Sequence, residues 1–476
     1  MKKKFLLGLF LLFVISLVSC GDAKESSQES SMPIPSESKI VNEDGIIDIL
    51  TINDTHGYLE SDSTSSITNI AGYMNHYQDS IKIAVGDMFQ GSGISNMSKG
   101  RAMIDVMNEI GFDCMVLGNH EFDWGIGTIL KYFDGDQLNG EANFPLLAAN
   151  VIDSNGNPLA YAKPYTIIQR GSYKIGVIGV IGETLESSIS VSSLEGHEFL
   201  PARPIVEQYT STLRNVENCD MVILAAHVGS SFNSSYSGLD IDLILNGHTH
   251  VNETGTTSQI PYLQAGCNAK YVGHITADLK NDKIDSYKVI TATSIYKVSK
   301  SVKEIVDRYV AEFAVVLESE VAKISNYSKT GLVRYACKTY EEYFEADFAF
   351  VNYGGFRTNW NKKTSITYND MMTMIPFDNQ FKTCYMSGKL IKELAGNLDT
   401  GYIGTSQETK FVGSDFYIGN TKIEDDKIYF VVAIDYIFDK EEMPFLSGTD
   451  INETGCYMRD VLLDKLIKEG YADFSY

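Results

Sequence analysis

Five apolar runs in this chain each lead straight into a loop carrying aspartate, asparagine or histidine. Ile46–Ile52 leads to Asn53-Asp54-Thr55-His56-Gly57, and Ile81–Val85 leads to Gly86-Asp87. Cys114–Leu117 leads to Gly118-Asn119-His120-Glu121-Phe122-Asp123. Met221–Ala225 leads to Ala226-His227-Val228-Gly229, and Leu243–Leu245 to Gly247-His248-Thr249-His250. Short continuous apolar runs read as strands buried on both faces. Lys174–Ile181 is a further run of this kind without such residues at its end, and Met103, Val106, Met107 and Ile110 recur at helical spacing. Strands alternating with helical stretches predict a layered α/β domain whose site lies where strand ends meet loops.

The loops share one chemistry. Asp54, His56, Asp87, Asn119, His227, His248 and His250 are nitrogen and oxygen donors suited to borderline divalent cations. Two such ions about 3.5–4 Å apart share bridging ligands, lower the pKa of water and neutralise charge building on a phosphoryl group. Of eight histidines, five fall in these loops, which sets them apart from scattered surface residues. His76, His197 and His274 lack ligand-rich neighbours and read as surface or structural.

At 476 residues the chain is long enough for two domains. Its net charge of −23 argues against a surface that coats nucleic-acid polymers, although bound cations still allow a small phosphorylated substrate. The seven cysteines form no Cys-x-x-Cys pair, so nothing supports a thiolate metal site or redox motif, and the six beyond Cys20 are free or partly bridged. Lys2-Lys3-Lys4, the apolar Phe5–Val18 and Ser19-Cys20 describe an export signal. Leu17-Val18-Ser19-Cys20 resembles a bacterial lipobox, which implies cleavage before Cys20 and lipidation of its sulfur; a plain secretory peptide is the alternative. Residues 21–45 read as a flexible polar tether.

Near residue 297 the pattern changes. Ser301 and Glu304 suggest a capping box, and apolar positions from Val302 to Val321 predict a long amphipathic helix, either a connection between domains or a core helix. Residues 327–476 read as a second, α+β domain closing with a helix over Arg459–Lys468, and no internal repeat is present.

The five loops in this order resemble the calcineurin-like metallophosphatases, and more narrowly the secreted 5′-nucleotidase family, which includes UDP-sugar hydrolases and 2′,3′-cyclic phosphodiesterases. The resemblance runs from about residue 46 to the end. It implies a four-layer α/β/β/α sandwich over residues 46–297, a connecting helix over 298–326 and a smaller α+β specificity domain over 327–476. By carry-over, Asp54, His56, Asp87 and His250 hold one metal, and Asp87 bridges to a second held by Asn119, His227 and His248. His120 stabilises the transition state or protonates the leaving oxygen, Asp123 orients it, and Glu121 supports the loop. The metals are two divalent ions, Zn, Mn, Fe or Co.

The second half carries the family's specificity motifs in part. Asn352-Tyr353-Gly354-Gly355-Phe356-Arg357 resembles the Asn-x-Gly-Gly-x-Arg loop, in which Asn352, Gly355 and Arg357 meet substrate. Pro376-Phe377-Asp378-Asn379 resembles Pro-Phe-x-Asn, making Phe377 and Asn379 binding residues, with Tyr436 as the second aromatic of a base sandwich. The family's Gly-Gly-Asp after that aromatic is absent; residues 438–443 read Phe-Asp-Lys-Glu-Glu-Met, and Glu442 stands in for the aspartate. Arg334 lies where further phosphate-gripping arginines occur but matches poorly. The resulting expectation is an extracytoplasmic, lipid-anchored phosphoesterase that releases phosphate and nucleoside by means of a metal-bridging hydroxide. A related hydrolase of a cyclic nucleotide, nucleotide sugar or other phosphoester, and a non-catalytic ligand-binding lipoprotein, are the alternatives.

Overall fold

In the computed structural model, residues 45–475 are described apart from 61, 63, 195 and 358. The export signal, Cys20 and the tether through residue 44 lie outside the described residues. No helix among the described residues is long and apolar enough to cross a membrane.

The first half holds two stacked sheets. One has seven strands in the order Lys283–Thr291, Tyr271–Asp278, Ile46–Ile52, Ile81–Val85, Cys114–Val116, Leu146–Leu147 and Ala162–Lys163. The other has six, Asn252–Thr257, Ile260–Ala265, Leu243–Asn246, Met221–His227, Tyr173–Ile181 and Tyr165–Arg170. Period-two alternation divides each strand between two cores. Ile49, Ile83 and Val85 from one sheet meet Val177, Ile223 and Leu245 from the other. On the outer faces, Leu50 and Ile52 join the core under helices Ile67–Met74, Arg101–Ile110 and Lys300–Leu317. Val222 and Leu224 join the core under helix Ala202–Asn215. Helix, sheet, sheet and helix are the four layers that the motifs imply.

Strands Ile46–Ile52, Ile81–Val85 and Cys114–Val116 run parallel, as do Tyr173–Ile181, Met221–His227 and Leu243–Asn246. Their carboxyl ends therefore emerge at one edge of the sandwich, bringing the five loops together.

The long helix differs from expectation at both ends. It spans Lys300–Leu317 and is capped by Ser299, whose hydroxyl accepts the Val302 N–H; Ser301 with Glu304 does not form the cap. The Ser299 N–H donates to the Thr68 carbonyl, which holds Ser299 out of the helix and sets the cap two residues early. Val321 is not helical: Glu320–Ser325 is a strand paired with Ser365–Thr367 and Tyr471–Asp473. The 298–326 segment thus ends inside a sheet of the second half.

That half is built on the five-stranded sheet Ile403–Gly404, Phe348–Asn352, Ile428–Ile434, Gln380–Ser387 and Thr449–Tyr457. Helix Lys329–Phe344 and helix Met458–Glu469 enclose a core around Phe350, Phe381, Val431 and Leu462. Cys114, Cys219, Cys267, Cys337, Cys384 and Cys456 are all free thiols. His274 is buried, held between Asp48 and Tyr73 at 2.7 Å each, and its place is structural.

Candidate metal centre and adjoining cavity

The loops at the sandwich edge are sharply bent. Asp54, His56, Asp87, His248 and His250 all have φ between 49° and 75°, a region that side-chain-bearing residues rarely occupy. Five uncommon backbone conformations within one donor set point to a function that requires them. Close approach does the rest: a Cβ at Gly118 would lie 2.3 Å from Asp87 Oδ1, so only glycine lets the third loop come this near the second.

Two donor groups result. Asp54, His56 and His250 offer ligand atoms all within 4.8 Å of one another, and so do Asp87, His227 and His248. Asn119 joins the second, its Oδ1 lying 3.2 Å from His227 Nε2 and 3.0 Å from His248 Nδ1. The histidines are oriented through their other nitrogens. His227 Nδ1 donates to the Val85 carbonyl and His56 Nδ1 to the Gln90 carbonyl, which turns each Nε2 toward the centre. His56 Nε2 faces His250 Nε2 at 2.9 Å.

The donor set fits cations on two further grounds. Asp87 Oδ1 accepts the His120 N–H, and its buried Oδ2 has no partner but the His227 ring, whose Nε2 lies 3.1 Å away as an ion pair. A buried carboxylate oxygen in that position is costly unless a cation meets it. Burial holds His56 well below the ordinary imidazole range and takes His248 down to about 4, so both are neutral donors. Burial also opposes charge on His227 and His250, but Asp87 beside the first and Asp54 beside the second raise them to about 9 and about 10. Both imidazoles would give up that proton on serving as ligands to a divalent ion.

Two residues shape the centre without joining it. Glu121, fully buried, accepts the N–H groups of Asp87, Met88 and Gly118 at 2.9, 2.8 and 2.7 Å. Burial, helped by the Asp87 charge, pushes its pKa up to about 7. Asn53 donates to Asp54 Oδ2 and to the Gly266 carbonyl and accepts the Ala265 N–H, tying the first loop to the second sheet. Its place beside Asp54 was visible in the sequence; its bridging contacts, more than 200 positions away, were not. Glu121→Gln should lower stability by about 1–3 kcal/mol, because its amide NH₂ would face a backbone donor. The shift in the urea unfolding midpoint measures this.

His120 sits at the mouth. Its Nδ1 is 2.7 Å from Asp123 Oδ2. Burial works against its charged form, but Asp123 and Asp87 outweigh that and raise its pKa. The ring stacks on Phe377 of the second half at 5.7 Å between centroids, and Arg357 lies over the same phenylalanine at 5.4 Å.

A cavity of about 860 Å³ opens here, lined from the first half by Asp87, Asn119, His120, Asp123 and His248 and from the second by Asn352, Arg357, Phe377, Asn379 and Tyr436. The second-half residues singled out by sequence therefore line it, apart from Arg334, Gly355 and Glu442. Gly355 is buried behind Gly354, which takes the lining position, and Glu442 is exposed and outside the lining. Asn379 reaches the cavity, yet its amide NH₂ donates to Asp435 at 2.9 Å. Asp435 also accepts the Gln380 and Tyr436 N–H groups, so it locks the Phe377 loop to the Tyr436 helix. In the segment replacing Gly-Gly-Asp, Lys440 is buried, reaches across to the Ser187 carbonyl and caps the Tyr436 ring at 4.6 Å. Ser188, Ser190, Ser192 and Ser193 form the adjoining wall. No local motif pointed to Asp435 or to these serines.

The chain matches the calcineurin-like phosphoesterase family over residues 47–252 and the 5′-nucleotidase C-terminal domain family over residues 310–447. It is similar to the endonuclease YhcR of Bacillus subtilis, 24% identical over 466 residues that cover 86% of this chain and 36% of that protein. It is also similar to a 5′-nucleotidase-related protein of Glossina morsitans morsitans, 27% identical over 66% of this chain and 64% of the other. The chain thus spans about a third of the first relative and less than two-thirds of the second. Its fold is that of the 5′-nucleotidase precursor from Thermus thermophilus, with a TM-score of 0.76 at 18% identity, covering 90% of this chain and 97% of the other. With both domain families matched in order, and the donor set of the first facing the cavity walls of the second, this chain belongs to the calcineurin-like phosphoesterases that carry a 5′-nucleotidase C-terminal domain.

Proposed function

We propose that the chain hydrolyses 5′-nucleotides outside the cytoplasm, releasing phosphate and nucleoside, and is tethered to a membrane through lipid on Cys20. The observation that carries the catalytic part is the shared cavity: cation ligands from one half and Arg357, Phe377 and Tyr436 from the other face a single space. On this reading residues 46–297 do the chemistry, 327–476 select the substrate, and the segment between joins them.

Asp54, His56, Asp87 and His250 would hold one divalent ion and Asp87, Asn119, His227 and His248 the other, with Zn, Mn, Fe and Co all suited to such donors. When bound, the ions would supply Lewis acidity toward the phosphoryl oxygens and lower the pKa of water. Arg357 offers a forked set of donors to the phosphate. His120, oriented by Asp123, holds a proton on the imidazole and delivers it to the departing nucleoside oxygen. Phe377 and Tyr436 hold the base by stacking. His120→Asn should keep both metals by elemental analysis while kcat falls about 10²- to 10⁴-fold; metal loss would make the residue a ligand.

Lys440 and the serine wall favour a second reading, in which a larger polar group such as a nucleotide sugar extends past Tyr436. Hydrolysis of AMP, ATP, UDP-glucose, 2′,3′-cyclic AMP and an aryl phosphate by the metal-loaded chain, with products separated chromatographically, tests both. The products are phosphate from AMP, ATP and the aryl phosphate, UMP and glucose 1-phosphate from UDP-glucose, and a ring-opened AMP from the cyclic ester. Preference for AMP or ATP supports the first, and preference for UDP-glucose the second. Turnover of the aryl phosphate alone overturns both.

A further inference from the structure

The segment standing where Gly-Gly-Asp is expected turns one charged residue inward. Phe438 and Met443 anchor it in the core, while Glu441 and Glu442 face solvent. Between the anchors, the Asp439 carboxylate pairs with Lys382 at 2.9 Å and the Lys440 carbonyl accepts the Met443 N–H at 2.9 Å. That fixes the backbone on both sides of the Lys440 side chain, which is buried. Its ammonium donates to the Ser187 carbonyl and lies over the Tyr436 ring at 4.6 Å, and it pairs with no carboxylate among the described residues. Burial pulls its pKa down, against the Glu442 charge. A cation held from water without a paired carboxylate lowers stability. An aliphatic side chain of similar length would fill the place at less cost, so the charge calls for a role other than packing.

The role follows from which residue meets the cavity. Tyr436 lines it and Lys440 does not, so the ammonium stands behind the ring that the cavity sees. An aromatic ring carries negative charge density on its faces, and a cation against one face draws on that density. The other face then welcomes an electron-rich ring and repels a positively charged one. The second aromatic of the cavity is charged in the same sense, since Arg357 lies over Phe377 at 5.4 Å. Two aromatic walls, each against a cation, thus face one space.

We propose that Lys440 is a specificity-determining residue: from behind Tyr436 it makes that ring a platform for neutral, electron-rich rings and against rings that carry positive charge. The proposal rests on the nucleotidase reading for where a base lies, and goes beyond it to the class of base accepted. Neutral purines and pyrimidines are taken, and cationic bases such as an N-methylated adenine or a pyridinium are turned away. The short contact with Ser187 holds the ammonium in place, because it ties the lysine of the second half to the backbone of the first.

Calorimetry on the metal-loaded full-length chain gives dissociation constants without any turnover. The first pair of probes is adenosine and 1-methyladenosine, the latter a cation at neutral pH. The second is quinoline and N-methylquinolinium, flat rings that carry no ribose. In the wild type the neutral member of each pair should bind more tightly. Lys440→Met should lower the cationic-to-neutral ratio of the constants about tenfold, because a unit charge one ring away has gone. Lys440→Arg should restore the ratio. Lys440→Gln, which keeps a donor for the Ser187 carbonyl without the charge, should shift it as methionine does, and it carries the test if the methionine chain does not fold. A merely structural loss weakens both members of a pair alike. An unchanged ratio in both pairs, or a wild type that binds none of the four probes, overturns the proposal. A ratio that shifts for the quinoline pair while neither nucleoside binds supports the role of Lys440 and counts against the nucleotidase reading alone.

Discussion

Replacing Asp87 by asparagine should strip cations from both donor groups and cut turnover at least about 100-fold. Removing even an outer partner of a metal ligand costs 10- to 100-fold in affinity or activity, and Asp87 stands at the centre of the set. Its Oδ1 is engaged by the His120 N–H, and its buried Oδ2 faces the His227 ring alone. An amide there loses the negative charge and, in one orientation, points an NH₂ toward the His227 ring 3.1 Å away. Elemental analysis together with kcat checks the result. Full occupancy of one site with the other empty would limit Asp87 to a single ion, and wild-type turnover would remove it from the centre.

Phe377→Ala should raise KM for AMP by about 5- to 150-fold, the equivalent of the 1–3 kcal/mol that base stacking on an aromatic contributes. For a small aryl phosphate the increase should be much smaller, since the phosphate still meets Arg357. The contacts make the comparison informative. Phe377 stacks on His120 and supports Arg357, so its loss also disturbs the proton carrier and the anion fork. A fall in kcat shared by both substrates reports that disturbance, while a KM change confined to AMP reports stacking. An equal KM change for the two substrates would remove the stacking role.

What could be read ahead of the structure follows the range of the forces involved. Strand-and-loop punctuation is local: an apolar run such as Ile81–Val85 followed by Gly86-Asp87 carries its own meaning, and the donor residues of all five loops converge as that pattern implies. At the helix cap, Ser301 and Glu304 meet the local rule, while the Ser299–Thr68 contact that decides the start joins residues over 200 positions apart. The cavity wall was harder still. Asp435, Lys440 and the serines at 188–193 acquire their places through contacts such as Lys440 with Ser187, for which no short motif exists. Glu442 was chosen by analogy of position, and the segment that replaced Gly-Gly-Asp turns a lysine inward while leaving that glutamate in solvent.

The edge-on arrangement of the donors also bears on how the chain folds. Asp54 and His250 are 196 positions apart, and they follow strands of different sheets that pack through the core around Ile49, Val177 and Ile223. Neither donor group exists until that interface has formed, so local segments of the unfolded chain have little to offer an ion. Cation uptake is then a late event that rewards long-range pairing already paid for in loop closure. Ions held by donors from both sheets would act as rivets between them, and the gain in stability would grow with the logarithm of free metal concentration.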